Sequence, residues 1–261
     1  MIAKTDAIPI RISSFGGTSQ IVTWLTADYG KISTTIKGAQ RPKRVGGGQY
    51  DLGYLCELLF YEREISGLHT FKDCVAMETR KSIRGRWQKT ALLSYFCLLA
   101  GSGSLPLVQN PHLYQILLTA LQALERTHLL THLMLWFEFQ LLSLHGTAPQ
   151  LQHCTICKRQ PVEPILIAPQ AGGLICPTCN THRGLATYPL PQETLRLLQL
   201  LQRLQKPIPP TNISMQQQVP GQGITAVGQF TSLWMDVAPH ARSITIQMAT
   251  LNLRKEEDLL A

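Results

Sequence analysis

The chain has 261 residues, of which 44% are hydrophobic, and a formal net charge of +8. This content is enough to bury a sizeable core, so a chain disordered throughout is excluded. The first fifteen residues alternate apolar and polar side chains and lack the continuous apolar run of a signal peptide. The most apolar stretches, 91–100 and 129–139, are shorter than the roughly 18 residues of a membrane-spanning helix. We therefore expect a soluble, cytoplasmic protein with no membrane partner.

Positive charge is concentrated in the first third of the chain. Residues 1–90 hold 14 Lys and Arg against 8 Asp and Glu, a net charge of +6, whereas residues 91–261 hold 10 against 8, a net charge of +2. A polyanionic partner is therefore expected to bind near the N-terminal part. The alternative is that a mildly basic charge merely keeps the protein soluble.

The N-terminal part predicts short strands separated by turns. Ile8, Ile10 and Ile12 lie on one face of the first strand, which ends near Gly16. Four further strands are predicted at 20–26, 31–36, 52–61 and 70–77. Five short strands in a basic module indicate a small closed barrel, and the OB fold is the leading candidate because it has five strands and binds oligonucleotides.

From about residue 80 the apolar spacing changes to that of helices. Asn110 is suited to cap the second helix and Pro111 to its first turn. Helices are predicted over 83–100, 111–127, 128–144 and 192–205.

Beyond the last predicted helix the pattern weakens. Residues 206–229 are rich in Pro, Gln and Gly and predict a flexible loop or linker, and Glu256 to Asp258 predict a solvated acidic end. The predicted fold class is α+β, with an OB-fold barrel over residues 1–79 and an all-helical domain over 80–261. That second domain would carry an inserted four-cysteine zinc module at about 150–183.

Two Cys-x-x-Cys pairs with 18 residues between them form the strongest motif of the chain. Two such turns can place four thiolates around one cation in the tetrahedral geometry of Zn²⁺, and four sulfurs leave no open coordination position. The motif therefore predicts one structural zinc site, and nearby Lys158, Arg159 and Arg183 favour the thiolate forms. The predicted ligands are Cys154, Cys157, Cys176 and Cys179.

Other roles for these four cysteines remain open. Cys176 and Cys179 could act as a redox pair, or all four thiols could be unliganded. His153 and His182 lie beside the cysteines and could replace a ligand. The odd total of seven cysteines argues against a disulfide framework, and the remaining three, Cys56, Cys74 and Cys97, are predicted to be small buried apolar residues.

Two basic segments are candidates for phosphate contact. The first runs between Asp28 and Asp51 with no acidic residue and ends in three glycines, which let a backbone approach a ligand closely. The second falls where the barrel gives way to helices. The candidate nucleic-acid-binding residues are Lys31, Lys37, Arg41, Lys43 and Arg44 in the first segment, and Arg80, Lys81, Arg84 and Arg86, with Lys89 beside them, in the second.

Four aromatic residues interleave with the first basic segment. Trp24, Tyr29, Tyr50 and Tyr54 could stack on bases, although aromatic residues of a small barrel more commonly belong to its core.

Signatures of common enzymes are missing from the sequence. No glycine-rich loop ends in Gly-Lys-Ser or Gly-Lys-Thr, so ATP hydrolysis is not expected. There is no nucleophile elbow, no HExxH motif and no His-x-Glu upstream of a Pro-Cys-x-x-Cys sequence, which a base deaminase requires. The sequence predicts a binding protein and not an enzyme.

The features of the chain follow a definite order. A strand leads into Asp28-Tyr29-Gly30-Lys31, a further strand leads into Lys37-Gly38-Ala39, and a basic, glycine-containing segment then leads into 52–61. A helical domain with a four-cysteine module between its helices follows. This order resembles that of the RecO family of bacterial DNA repair proteins, and the resemblance covers residues 1 to about 205.

This resemblance implies binding of single- and double-stranded DNA and annealing of complementary strands. It also implies action with RecR and with the C-terminal tail of the single-strand-binding protein, so that the recombinase RecA is loaded in the RecF pathway. RecF and RecA are expected as indirect partners, and the location is expected to be cytoplasmic, at the nucleoid.

Three alternatives from other classes remain. The first is a zinc-ribbon RNA-binding or transcription-associated protein, which would prefer RNA to single-stranded DNA at equal salt. The second is a thiol-redox enzyme using Cys176 and Cys179. The third is a scaffold whose basic face recruits acidic proteins.

Overall fold

A computed structural model describes residues 1–39, 50–63, 68–207, 219–235 and 239–250. The chain divides into two compact units, Met1–Glu125 and Arg126–Ala261, and each is described by itself. Within the described ranges, no helix is long and apolar enough to cross a membrane.

The first unit contains a closed five-stranded barrel. Its strands are β1 (Ile2–Phe15), β2 (Ser19–Thr26), β3 (Gly30–Ile36), β4 (Leu55–Tyr61) and β5 (Leu68–Glu78). The order around the barrel is β1-β2-β3-β5-β4, with β4 pairing back onto β1. The β3–β5 pair is parallel and the others are antiparallel. The predicted five-stranded barrel is confirmed, and its OB-like strand order leaves no open edge.

The barrel closes around side chains that alternate along each strand. In β3 the even-numbered residues Ile32, Thr34 and Ile36 are buried, and the odd-numbered residues between them are partly exposed. Trp24 of β2 is fully buried, and its Nε1 donates to Thr34 Oγ1 at 2.9 Å. This bond satisfies the indole N–H where water cannot reach it.

The described part of the first unit also has three helices, α1 (Lys81–Arg84), α2 (Trp87–Ser102) and α3 (Pro111–Arg126), the last of which ends at the boundary of the two units. The prediction of a single helix over 83–100 is wrong at the start of that range. Arg86 has an extended backbone, and its N–H bonds to Ile83 O at 3.0 Å, so a tight turn separates α1 from α2. The predicted cap of α3 is confirmed, because Leu113 N donates to Asn110 Oδ1 at 3.0 Å.

The second unit is helical and carries a small sheet. Its helices are α4 (Leu130–Leu144), α5 (Pro177–Thr181), α6 (Gln192–Arg203), α7 (Gly221–Trp234) and α8 (Pro239–Thr250). Three short strands, β6 (Leu166–Ala168), β7 (Gly173–Ile175) and β8 (Tyr188–Pro189), form a sheet in the order β7-β6-β8. The predicted α+β class, with a barrel followed by helices and a four-cysteine module, is confirmed.

The prediction of a loop over 206–229 is wrong from residue 221 onward, because α7 begins there. This helix begins after Pro220 and buries Ile224, Val227 and Phe230. Its Gly and Gln residues hide the apolar period in the sequence, and burial of one face against the unit stabilises the helix. Residues 208–218 of the predicted loop and the acidic residues 256–258 lie outside the described part of the chain.

Candidate metal centre and nucleic-acid interface

The four cysteines of the two Cys-x-x-Cys pairs come together in the second unit. The sulfur atoms of Cys154, Cys157, Cys176 and Cys179 all lie within 4.8 Å of one another. Cys154 is buried and the other three are half-buried. This group could hold one metal ion, and neither His153 nor His182 is part of it.

Backbone hydrogen bonds to β7 bring the two pairs together. Thr155 N donates to Leu174 O at 2.8 Å, and Leu174 N donates to Gln150 O at 2.9 Å. Gly173 makes this approach possible, because a Cβ at this position would overlap the backbone of Gln150. Cys176 follows β7 directly, so the first pair is placed against the second.

The surroundings of Cys157 favour its thiolate. The pKa of Cys157 is lowered to about 6 by the backbone N–H of Arg159 and by the Arg159 guanidinium, whose Nε lies 3.4 Å from the sulfur. By contrast, the pKa of Cys179 is raised to about 12, chiefly by its hydrogen bond with Cys176. Cys157 is therefore ready to ligate a cation at neutral pH.

Lys31 lies near the start of β3 and Lys37 just beyond its end, about 20 Å apart at the usual rise of a strand. Lys31 is half-buried, and its Nζ donates to Gly101 O at 2.7 Å. Burial lowers the pKa of this ammonium group. Lys37 follows the last residue of β3 and is exposed. Of these two lysines, Lys37 is thus the one whose charge faces solvent.

Arg80 occupies an internal position. Its side chain has no exposed surface, and it pairs with Glu78 at 3.0 Å and Glu125 at 2.9 Å. Its Nε also donates to Gly53 O at 2.9 Å. Arg80 therefore joins the barrel to α3 and leaves no donor facing solvent for a phosphate.

Arg84 is held against the barrel. Its guanidinium pairs with Asp51 at 2.8 Å, donates to Leu52 O at 2.8 Å and stacks over the ring of Tyr54, with 4.6 Å between the carbon and the ring centroid. Its side chain remains partly exposed. This contact fixes α1 on the loop that precedes β4.

The remaining predicted cations differ in exposure. Lys81 and Arg86 are exposed, and within the described part of the chain neither pairs with a carboxylate. Lys89 is buried, and its Nζ donates to Glu125 O at 2.9 Å. Arg41, Lys43 and Arg44 lie outside the described residues.

The four aromatic residues considered for base stacking pack within the first unit. Tyr29 meets Phe60 edge-on, and Tyr50 does the same with the buried Trp24. Tyr54 lies under Arg84. These contacts give three of the rings core partners and the fourth a cation partner.

A polar row on the outside of the barrel is a feature that the sequence analysis missed. Ser33 and Thr35 lie between Lys31 and Lys37 on the outward side of β3, and Ser33 Oγ lies 3.1 Å from Thr23 Oγ1 of β2. The alternation of β3 was the signal in the sequence. In OB folds the face of strands 2 and 3 is the usual surface for oligonucleotides.

Each of the two parts of the chain matches a model of a known protein family. The model "Recombination protein O N terminal" matches residues 1–80, and the model "Recombination protein O C terminal" matches residues 84–232. The chain belongs to the recombination protein O (RecO) family. The predicted resemblance to the RecO family is thus confirmed, and membership makes this a protein of DNA repair.

Curated RecO proteins are similar over most of their length. The DNA repair protein RecO of Dehalococcoides mccartyi strain 195 is 28% identical over 201 residues, which cover 76% of this chain and 78% of that protein. The DNA repair protein RecO of Bacillus subtilis strain 168 is 28% identical, with 77% of each chain covered. That of Moorella thermoacetica is 29% identical over 188 residues, 69% of this chain and 67% of its own.

Proposed function

We propose that this RecO-family chain is a non-enzymatic mediator of DNA repair and recombination in the cytoplasm. It binds single- and double-stranded DNA and anneals complementary strands. With RecR, and through the C-terminal tail of the single-strand-binding protein, it helps to load RecA in the RecF pathway, in which RecF is an indirect partner.

The observation that carries this proposal is the outward side of the barrel in a family of DNA repair proteins. The hydroxyl groups of Thr23, Ser33 and Thr35 line strands β2 and β3, and the exposed ammonium of Lys37 follows directly. Hydroxyls and ammonium groups donate to phosphate oxygens without reading sequence. This surface suits a DNA strand of any sequence.

Charge around the helical end of the first unit supports the same proposal. Lys81 and Arg86 are exposed cations, and the sequence from residue 79 to residue 124 contains no Asp or Glu. Each phosphate that they neutralise releases a condensed counterion, which favours binding at low salt. Arg41, Lys43 and Arg44 add three basic residues to the barrel segment.

Annealing by this mechanism requires no bond-making step. Cations lower the repulsion between two phosphate backbones, and the bases remain available to pair with a second strand. The free energy then comes from base pairing between the strands, so ATP is not needed.

For the four-cysteine group we propose one structural Zn²⁺. Zinc bound to four thiolates at about 2.3 Å has sulfurs about 3.8 Å apart. Cys157 Sγ and Cys176 Sγ are separated by 3.8 Å, which fits one edge of that tetrahedron. All four sulfurs lie in one group, an arrangement that favours metal binding over a separate redox pair.

Strand annealing is the experiment that tests the proposed function. Two labelled complementary oligonucleotides are mixed with and without the protein, in the absence of ATP, at two salt concentrations. We expect acceleration that weakens at the higher salt. No acceleration together with no DNA binding at low salt would overturn the proposal, and tighter binding of RNA than of single-stranded DNA at equal salt would favour an RNA-binding protein.

A further inference from the structure

Trp87, the first residue of α2, is an exposed aromatic residue. About half of its surface, 49%, is exposed. Within the described part of the chain, no ring or cation stacks on its indole, and no acceptor takes its N–H. Buried Trp24 and Trp136 differ, because their indoles donate to Thr34 Oγ1 and Leu204 O.

Exposed cations flank Trp87 along the chain. Arg86 directly precedes it, and Lys81 lies six residues earlier. The intervening turn is tight, since Gly85 N donates to Lys81 O at 3.4 Å. The backbone of Lys81 therefore lies one tight turn from the start of α2, where Arg86 directly precedes Trp87.

Carboxylates do not offset this charge nearby in the sequence. No Asp or Glu occurs between residues 79 and 124. Glu125, which accepts a hydrogen bond from Ser82 of α1, is already paired with the buried Arg80. The surface around Trp87 is thus suited to an anion that also offers a flat apolar face.

Exposure alone does not distinguish Trp87, because single exposed apolar residues are common. Trp234, at the end of α7, is exposed to the same degree, 51%, but α7 contains no charged residue. Among the described residues, an exposed indole with exposed cations beside it in the sequence occurs at Trp87 and not at Trp234. Trp234 is therefore a matched control.

We propose that Trp87 stacks on an unpaired base of single-stranded DNA while Lys81 and Arg86 contact its phosphates. The inference rests on the proposed DNA binding and adds a selectivity to it. Both faces of a base in a duplex are covered by neighbouring base pairs, whereas a base of a single strand can lie on an indole ring. Trp87 thus favours single strands, and the cations serve both forms of DNA.

Substitution of Trp87 by Leu tests this inference, because Leu keeps the apolar contact of the buried half and removes the flat ring. Affinities for an oligothymidylate, an oligouridylate and a DNA duplex are measured for the wild type, Trp87→Leu, Trp87→Phe and Trp234→Leu at one salt concentration. Thermal unfolding confirms that each variant is folded. Indole fluorescence is followed in the same titrations, since Trp87 is one of two exposed tryptophans among four.

We expect Trp87→Leu to bind the oligothymidylate about 5- to 150-fold more weakly, the range for loss of one stacked base. Its duplex affinity should stay within twofold, Trp87→Phe should recover part of the loss, and Trp234→Leu should behave as the wild type. Fluorescence quenching by the oligothymidylate should disappear in Trp87→Leu alone.

Unchanged oligothymidylate affinity in Trp87→Leu would overturn the inference and leave DNA binding by the protein intact. An equal loss for the duplex would also overturn it, because stacking would then not be the cause. A larger loss for the oligouridylate would assign the site to RNA. If the wild type binds no DNA at all, the proposed function itself fails.

Discussion

At the scale of single residues, a buried ion pair links two helices of the second unit. The Glu138 carboxylate of α4 accepts two hydrogen bonds from Arg242 of α8, one from Nε at 2.7 Å and one from Nη2 at 2.9 Å. The Glu138 side chain is fully buried and that of Arg242 is 9% exposed. Gly228 of α7 leaves the room that the guanidinium needs, because a Cβ there would overlap it. The pair therefore sets how closely α7 and α8 can approach.

Removing one partner of this pair should be costly. We expect Arg242→Met to lower the free energy of unfolding by about 3–5 kcal/mol, because the buried Glu138 carboxylate would lose the opposite charge of the guanidinium. The measurement is urea unfolding, and exposed Arg203→Met is the control. The double variant Glu138→Leu with Arg242→Met should recover much of the loss. A loss below about 1 kcal/mol in Arg242→Met would show that water reaches the carboxylate.

At the scale of elements, we expect the stability of the small sheet to depend on the four-cysteine group. The strands β6, β7 and β8 contain only two or three residues each, which is too few to be stable alone. A metal bound to both cysteine pairs would join the segment before β6 to the segment after β7. Its binding free energy would then be folding free energy for this region.

Loss of one ligand should therefore unfold this region selectively. We expect one zinc per chain in the purified protein, and a large loss of zinc in Cys176→Ser, measured by elemental analysis. Hydrogen exchange should speed up in residues 150–190 of that variant and stay slow in the barrel. Cys97→Ala, which alters a buried thiol outside the group, should keep its zinc. Full zinc content in Cys176→Ser would contradict the site.

Elements that follow a local sequence pattern could be predicted from the sequence, and elements that depend on distant contacts could not. The barrel strands and the cysteine group could be, since alternation and Cys-x-x-Cys spacing are local patterns. Helix α7 could not, because its stability comes from packing of a face that includes Gly228. The burial of Arg80 could not either, since it depends on Gly53 and Glu125, which are distant in the sequence.

At the scale of the whole molecule, the net charge of +8 matters through its distribution. Of the candidate cations, Arg80 is used internally, Lys31 and Arg84 are held by neighbouring groups, and Lys81 and Arg86 are exposed. The net charge therefore overstates the number of cations that a DNA strand can contact. The number of exposed, unpaired cations is the better guide to affinity and to its dependence on salt.

A triple variant distinguishes the effect of local cations on DNA binding from the effect of the net charge. Replacing Lys37, Lys81 and Arg86 by Ala removes three exposed cations of the first unit. For single-stranded DNA each lost phosphate contact reduces the slope of log affinity against log salt by about 0.7, so we expect a slope about 2 smaller. The control replaces three exposed cations of the second unit, Arg196, Arg203 and Lys206, which lie away from the cysteine pairs in the sequence, with the same change in net charge. If both variants lose affinity and slope equally, overall charge governs binding and no local interface is needed; a loss confined to the first variant locates DNA binding on the barrel and the α1–α2 turn.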